Sequence, residues 1–452
     1  MWRGAVNASL FVAVVFGWGM LAGSEARGGE ERQAVRATEF LDSVGVNSAI
    51  NRRGESLAKT AECAKYLGVR WFRSGIEDCR DVRDFIELHR QTGARFSWSP
   101  GSGGSDLVRL LATAKELAAA DALLAFEGPN EPNNWGVSYQ GEAGGGRAAS
   151  WLAVAKLQAA LYEAVKSDPQ LRRYPVWSVS EGGAEKDDVG LQFLTIPAGA
   201  HTLLPAGTRF ADAANVHNYI YHPNAPELED NKTWKAADPG PECRVDGLYG
   251  EYGRTWGGHY VGYRAEELAR LPRVTTETGA LVEGAVTEEV QALNLLSLYL
   301  DQFKRGWSHT AVYLMRDRSD EGGNQKYGFY AADYAPRKAA LYLHNLTSVL
   351  ADKGTPAKPG VLGYAIEPEP PTVHDLLLQK AGGTFELVIW GEQLRGTNEV
   401  MLRLAKPVTA LEVYDPTAGT EPVAKKGKVA AVRLALSDHP LVVAILGDGG
   451  RD

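Results

Sequence analysis

The sequence is poor in cysteine: Cys63, Cys79 and Cys243 are the only three in 452 residues. At most one disulfide can form and one thiol is left over, so cross-linking is not what holds this fold together. No C-x-x-C, no H-E-x-x-H and no clustered His/Cys spacing occurs, which leaves a structural or catalytic transition metal without a recognisable ligand set. No cofactor-binding motif appears either, and a Gly-rich phosphate turn is missing. The chain also lacks a Lys/Arg-rich block. Its 48 basic residues against 56 acidic ones give a net charge of −8, which argues against a nucleic-acid or anionic-membrane surface and favours a neutral or soluble substrate. There is no internal repeat or low-complexity tract.

Long apolar runs are confined to the start. "MWRGAVNASLFVAVVFGWGMLAGSEARG" sets Arg3 before a short apolar stretch that ends in small residues, with Ser24-Glu25-Ala26 as the cleavage site. Residues 1–28 therefore read as a secretory signal peptide, with an uncleaved anchor as the alternative. The run is shorter than the roughly 20 residues a membrane span needs, and none later qualifies. The expectation is a secreted or periplasmic protein with no stable membrane insertion once the leader is gone.

What the chain does have is a rhythm. From about residue 40 to 350, eight short apolar runs alternate with helical patterns: "LDSVGVN", "VRWFRSGI", "ARFSWSP", "ALLAFEGPNE", "PVWSVSEGG", "ANVHNYIYHP", "RVTTETGA" and "TAVYLMRDR". Such alternation is the signature of βα units around a parallel sheet. Helices are expected over 56–67 and 288–304, the second capped by Thr287 with Glu288 and Glu289 in its first turn, and Ser105 opens another. A further helix begins at Pro336 and stops near Gly354. Eight strands each followed by a helix close most simply into a (β/α)8 TIM barrel, over 36–352, with catalytic groups at the carboxyl ends of the strands. Beyond "GTPAKPG" the period changes to two. A hairpin signal at Gly382-Gly383 and alternation at Val400, Leu402, Leu404 and at Val432, Leu434, Leu436 predict an antiparallel β-sandwich domain over 357–448. The short linker implies that it packs on the barrel. The fold class is thus α/β with an appended β domain.

Two glutamates stand out against this frame. Glu131 ends the fourth run, within "LLAFEGPNEPNNW", and Glu277 ends the seventh, in "RVTTETGA". In a barrel both project from one rim, and a carboxylate pair about 5 Å apart can divide glycoside hydrolysis between a proton donor and a nucleophile. Either glutamate alone would more simply be a solvated loop residue or a helix cap.

"PNEP" (129–132) and "TETG" (276–279), in this order and on these strands, resemble clan A of the glycoside hydrolases, retaining enzymes on a (β/α)8 barrel. The motif context is similar to families thirty-nine and five alike. The resemblance implies Glu131 as general acid/base, Glu277 as nucleophile, and Asn130 as the residue binding the hydroxyl beside the anomeric carbon. It also implies that Arg73 keeps the nucleophile ionised, that His217 contacts the sugar, and that Tyr219 donates toward Glu277. Where many clan members place a tryptophan at the eighth strand end, this chain has Tyr313.

Trp98, Trp135, Trp177, Glu181 and Trp256 are further cleft candidates, the tryptophans as sugar platforms or else as packing. Arg316 and Asp317 supply polar contacts or pair with each other, and the insertion 222–262 walls the cleft or forms a surface loop. Carbohydrate is the expected partner. A non-catalytic carbohydrate-binding barrel, a transglycosylase and a metal-dependent barrel enzyme stay open as alternatives.

Overall fold

The computed structural model describes residues 29–145, 152–180, 208–220, 233–237, 271–320, 326–354, 358–393 and 396–446. The leader, Glu181, Tyr221, Cys243, Trp256 and all of the 222–262 insertion except 233–237 lie outside them. Eight parallel strands form the barrel: Val44–Asn47, Trp71–Gly75, Arg95–Ser99, Leu123–Glu127, Val176–Trp177, Ala214–His217, Arg273–Thr278 and Trp307–Val312. Each pairs with the next in chain order, and the eighth returns to the first with Thr310 opposite Val44. Between the fifth and sixth, a Trp177–Ala213 bridge completes the ring, with the Ser178 N–H donating to the Ala213 carbonyl at 3.0 Å.

The helices start where side chains can satisfy their first free N–H groups. Ser56 accepts from the Lys59 N–H at the head of Leu57–Leu67, and Thr287 accepts from the Val290 N–H at the head of Glu288–Lys304. The helix Leu107–Ala119 is capped by Asp106 rather than Ser105, one residue later than the sequence suggests, and the Asp106 carboxylate accepts from the Arg109 N–H at 2.9 Å. The last barrel helix runs Lys338–Val349, with Pro336 just before its cap. Inside the barrel floor Trp71 and Trp177 meet edge to face at 5.6 Å, and Ala125, Ala213, Val274 and Ala311 fill the space beside them. Large and small inward residues alternate between strands, as a tapering barrel requires. The floor is apolar; the next inward layer is not.

The second domain is antiparallel: Val361–Glu367, Val373–Gln379, Phe385–Gly391, Asn398–Tyr414, Pro422–Leu436 and Pro440–Leu446. Gly383, at φ 91°, turns the predicted hairpin. In the long fourth strand the pairing shifts between Arg403 and Val408, so it borders Val361–Glu367 in one half and Pro440–Leu446 in the other. Val400, Leu402, Leu404, Val432, Leu434 and Leu436 all point into the core between layers, as their alternation predicts. The sheet also takes in Glu30–Gln33, antiparallel to Val361–Glu367, and Val35–Arg36, parallel to Val373–Gln379. The chain therefore enters through the β domain before starting the barrel.

The outer face of that domain is not free. Leu376, Leu378, Val388, Trp390 and Val442 join the barrel's own apolar cluster. Trp390 Nε1–H donates to Asp301 Oδ1 at 2.7 Å, and Lys304 pairs with Asp375 at 3.3 Å. The helix Glu288–Lys304 is consequently buried on nearly every side, which explains its run of leucines. Cys63 and Cys79 are buried free thiols, each pushed up to about 11 by burial. Among the described residues no helix is long and apolar enough to cross a membrane.

Candidate active site

The stretch after the fourth strand is shaped by close approach. Gly128 runs so near its neighbours that an added Cβ would lie 2.1 Å from Gln158 Oε1 and 2.7 Å from the Val179 nitrogen. Asn130 then bridges briefly to Ser102 and Ser180, and Glu131 adopts a left-handed conformation at φ 38°, ψ 60°. A non-glycine residue held there is strained by about 1–3 kcal/mol, and such strain collects at functional positions. Here it turns the Glu131 side chain off the strand and over the barrel mouth, at the head of the short helix Pro132–Trp135.

The seventh strand breaks its alternation too. Its pairing shifts on both sides between Thr275 and Thr278, so the consecutive residues Thr276 and Glu277 both reach the same cluster. Arg73, from the second strand, is the hub. Its Nη1–H donates to Glu277 Oε2 at 2.9 Å, its Nη2–H to Glu127 Oε1 at 2.8 Å and to Asn130 Oδ1 at 2.6 Å, and its Nε–H to Glu127 Oε2 at 3.1 Å. Tyr219 donates its hydroxyl to Glu277 Oε1. Asn130 Nδ2–H donates to Ser102 Oγ at 3.0 Å. Asn134 Nδ2–H donates to Glu131 Oε2 at 3.0 Å, and His217 Nδ1 lies 2.8 Å from Glu131 Oε1. Atoms of Glu131, His217 and Glu277 all fall within 4.8 Å of one another. Residues far apart in sequence thus meet as expected: Arg73, Asn130, Glu131, His217, Tyr219 and Glu277.

Burial pushes the Glu277 carboxyl above its ordinary value and the Glu131 charge adds to the rise, while His217, Arg73 and the Tyr219 hydroxyl pull against it. Burial acts upward on Glu131 as well, but the hydrogen bond and charge of His217, then Asn134 and Arg73, bring it below its ordinary value. The two directions thus run opposite to the roles the resemblance implies: burial raises the nucleophile candidate Glu277, and the His217 contact lowers the acid candidate Glu131. Burial raises the Tyr219 hydroxyl well above its usual range, and the Glu277 charge adds to this, so it stays a donor at neutral pH.

The same three residues could in principle hold a cation. The donor set does not suit one: both Glu277 oxygens already accept from Arg73 and Tyr219, both Glu131 oxygens are engaged, and the Arg73 charge sits 2.9 Å from Glu277. Charge neutralisation here is the work of a guanidinium.

Some expected positions are corrected. Trp98 has no exposed surface. Ser97 faces the barrel interior, so alternation turns Trp98 toward the helices, where it packs on Phe85 and donates to Thr113 Oγ1. It is core, not a sugar platform. Trp177 likewise belongs to the barrel floor. Arg316 and Asp317 do not form the supposed ion pair: Asp317 binds the buried Arg337 and Arg316 lies over Tyr334. Trp135 is 64% exposed, close after Glu131. Tyr313 is nearly buried and meets Tyr219 and Tyr327 edge to face, at 6.5 and 5.6 Å.

Sequence reasoning missed Glu127, Thr276, Ser102 and Tyr327. Glu127 carried a signal: it is a charge at an inward position, two residues after Ala125, in a strand that should be apolar on both faces. Thr276 and Tyr327 carried none, since neither residue type is unusual where it stands.

No family model matches the chain, and no curated protein matches it in sequence. Solved structures do match. A family 39 glycoside hydrolase from the gut symbiont Bacteroides cellulosilyticus WH2 aligns with a TM-score of 0.57 at 15% identity, over 91% of this chain and 82% of that one. CelM2, a bifunctional glucanase-xylanase from a metagenome library, gives 0.56 at 11%, over 93% and 98%. An endo-β1,6-glucanase gives 0.50 at 10%, over 92% and 93%. Coverage of more than nine-tenths of this chain means that the likeness spans the barrel and the β domain together, and at these identities it is a likeness of fold.

Proposed function

We propose that this protein is a retaining glycoside hydrolase that cleaves O-glycosidic bonds of an oligo- or polysaccharide through a covalent intermediate. One observation carries the reading: Glu131 and Glu277 bring carboxylate oxygens within 4.8 Å of each other at the barrel mouth, the short separation a double displacement uses. The fold shared with a family 39 hydrolase, a glucanase-xylanase and a β-glucanase supports it.

In this mechanism Glu277, held by Arg73 and Tyr219, attacks the anomeric carbon while Glu131 protonates the departing oxygen. Glu131, now a carboxylate, takes a proton from water, whose oxygen displaces Glu277 and regenerates the site. Tyr313 and Tyr327 offer ring edges beside the sugar, and the exposed Trp135 offers a face on the leaving-group side. The leader-like start fits a secreted or periplasmic enzyme meeting its carbohydrate outside the cytoplasm.

A panel of 4-nitrophenyl glycosides and of glucans and xylans, with the first-formed anomer followed by NMR, tests the proposal. Net retention is expected. Glu277→Ala should abolish turnover without loss of fold, and added azide should restore cleavage of the aryl glycoside as the inverted azide. Inversion by the native enzyme, or full turnover by Glu277→Ala, would refute it.

A further inference from the structure

Beneath the two catalytic carboxyls lies a second, wholly buried layer. Glu127, Thr276, Asn215 and His217 have no exposed surface. The Thr276 hydroxyl sits 2.9 Å from Glu127 Oε1, 3.0 Å from Asn215 Oδ1 and 3.1 Å from His217 Nε2. Asn215 is oriented by its own Nδ2–H, which donates to the Ser178 carbonyl at 3.3 Å, so its oxygen must face Thr276. Two neighbours of the hydroxyl are therefore acceptors, and a threonine has one hydrogen to give. Were His217 Nε2 bare, three acceptors would crowd one hydrogen. The contact is satisfied when Nε2 carries a hydrogen and donates it to Oγ1.

We infer that Thr276 and Glu127 are positioning residues that hold His217 with its hydrogen on Nε2, so that the hydrogen in the Nδ1–Glu131 contact is the one the acid delivers. With Nε2 occupied, a neutral His217 presents a lone pair at Nδ1, and the 2.8 Å contact to Glu131 Oε1 then requires the proton to be on the carboxyl. If the ring takes that proton instead, the proton still lies between the same two atoms. The neutral Nδ1–H form, which would stabilise an ionised Glu131 and leave the site without its acid, is the form the Thr276 contact excludes. After the proton has gone to the leaving oxygen, the Nδ1 lone pair faces the Glu131 carboxylate, which makes Glu131 a stronger base toward water in the second step. Other titratable groups facing His217 and Glu131 are Glu277, whose Oε2 is 3.7 Å from Nδ1, Arg73, Tyr219 and Tyr327. None of them touches Nε2 in the contacts described, so the tautomer is set from below. The inference rests on the hydrolase reading for the role of Glu131, but its geometric part does not.

The test has two arms. The first needs no substrate: ¹⁵N shifts of the imidazole nitrogens in the labelled native protein, assigned by the signal lost in His217→Gln. Hydrogen on Nε2 is expected across neutral pH; a neutral ring with hydrogen on Nδ1 overturns the inference. The second uses Thr276→Val, which keeps the shape and removes the hydroxyl, with Thr276→Ser as the rescue. For phenyl glycosides, where the leaving group needs the acid, the alkaline limb of kcat/KM should move acidward by about one pH unit or more in Thr276→Val and return in Thr276→Ser. For 2,4-dinitrophenyl glycosides, which leave unaided, kcat/KM should hold within about two-fold. An unmoved limb, or equal loss on both substrates, overturns the inference while leaving the two-glutamate mechanism intact. Hydrogen on Nε2 in a protein that cleaves no glycoside would uphold the lock and sink the hydrolase reading instead. If Thr276→Val does not fold, the native spectrum decides.

Discussion

Replacing Arg73 with methionine is the sharpest single perturbation of this site. The guanidinium is 12% exposed and joins Glu277, 13% exposed, to Glu127, which has no exposed side-chain surface. Methionine fills much of the same volume without the charge. Two carboxylates that accept four hydrogen bonds from one cation would then keep only hydroxyl hydrogen-bond donors: Tyr219 for Glu277, Thr276 and Ser97 for Glu127. Removing one member of a buried ion pair costs about 3–5 kcal/mol, a large share of the ~5–15 kcal/mol that stabilises a typical domain. The sign with pH follows from Glu277. Burial already raises it, and losing Arg73 raises it further, so the folded protein binds a proton more tightly than the unfolded chain. A raised carboxyl destabilises the fold once it must ionise; the deficit is smallest below the unfolded value of ~4.3 and grows as pH rises through the folded value. Urea denaturation of both proteins at about pH 4.5 and about pH 8 should show the gap widening at the higher pH, and the acid limb of kcat/KM should move upward. Arg73→Lys should recover part of the stability, since an ammonium supplies charge but cannot place donors at three positions. A methionine variant within about 1 kcal/mol of native, with a gap independent of pH, would show that Arg73 neutralises neither carboxylate.

Three further outcomes are expected. Asp301, fully buried under Trp390 and Thr233, is pushed up to about 7 by burial, so its contribution to stability should fall as pH rises from ~4 to about 7. Asp301→Asn should flatten that part of the stability curve, read as guanidinium midpoints at the two ends; an unchanged slope would place the titration elsewhere. Trp98→Ala should cost about 3–5 kcal/mol of stability because it empties core, whereas Trp135→Ala should leave the melting temperature alone and raise KM for polymeric substrates more than for aryl glycosides; the reverse pattern would contradict their assigned surroundings. Gly128→Ala should lower stability by about 1–3 kcal/mol or more through the clash with Gln158 and Val179, and a silent substitution would mean that the turn is looser than described.

The barrel was legible because its strands are buried on both faces and so appear as short apolar runs, with a glutamate at the end of the fourth and one residue before the end of the seventh. The β domain was legible from period-two alternation. What could not be read depends on register or on distant partners. Trp98 was misplaced because its position near a strand end was weighed above its parity relative to Ser97, and parity decides which face a side chain takes. Glu30–Gln33 went unread because a short polar segment has no strand signal of its own; it becomes a strand by pairing with Val361–Glu367 at the other end of the chain. Thr276 was quoted inside a motif yet given no role, since its contacts to Glu127 and His217 exist only once the fourth, sixth and seventh strands are brought around one barrel.

The two departures from regular geometry explain why the site has two layers. Strict alternation would give each strand one inward residue at the rim, hence Glu127 from the fourth and Thr276 from the seventh. The left-handed Glu131 and the shifted pairing around Glu277 add a second side chain from each strand above the first. Arg73 is long enough to hold both levels at once, touching Glu127 below and Glu277 above. The lower level rests on strands whose neighbours fix it, the upper level on the lower, and such support is what holds reacting groups to within fractions of an ångström. The layering also divides the consequences of change. Substitutions at Glu131 or Glu277 should remove chemical steps, whereas substitutions at Glu127 or Thr276 should leave the steps in place and alter the pH at which each carboxyl can perform them.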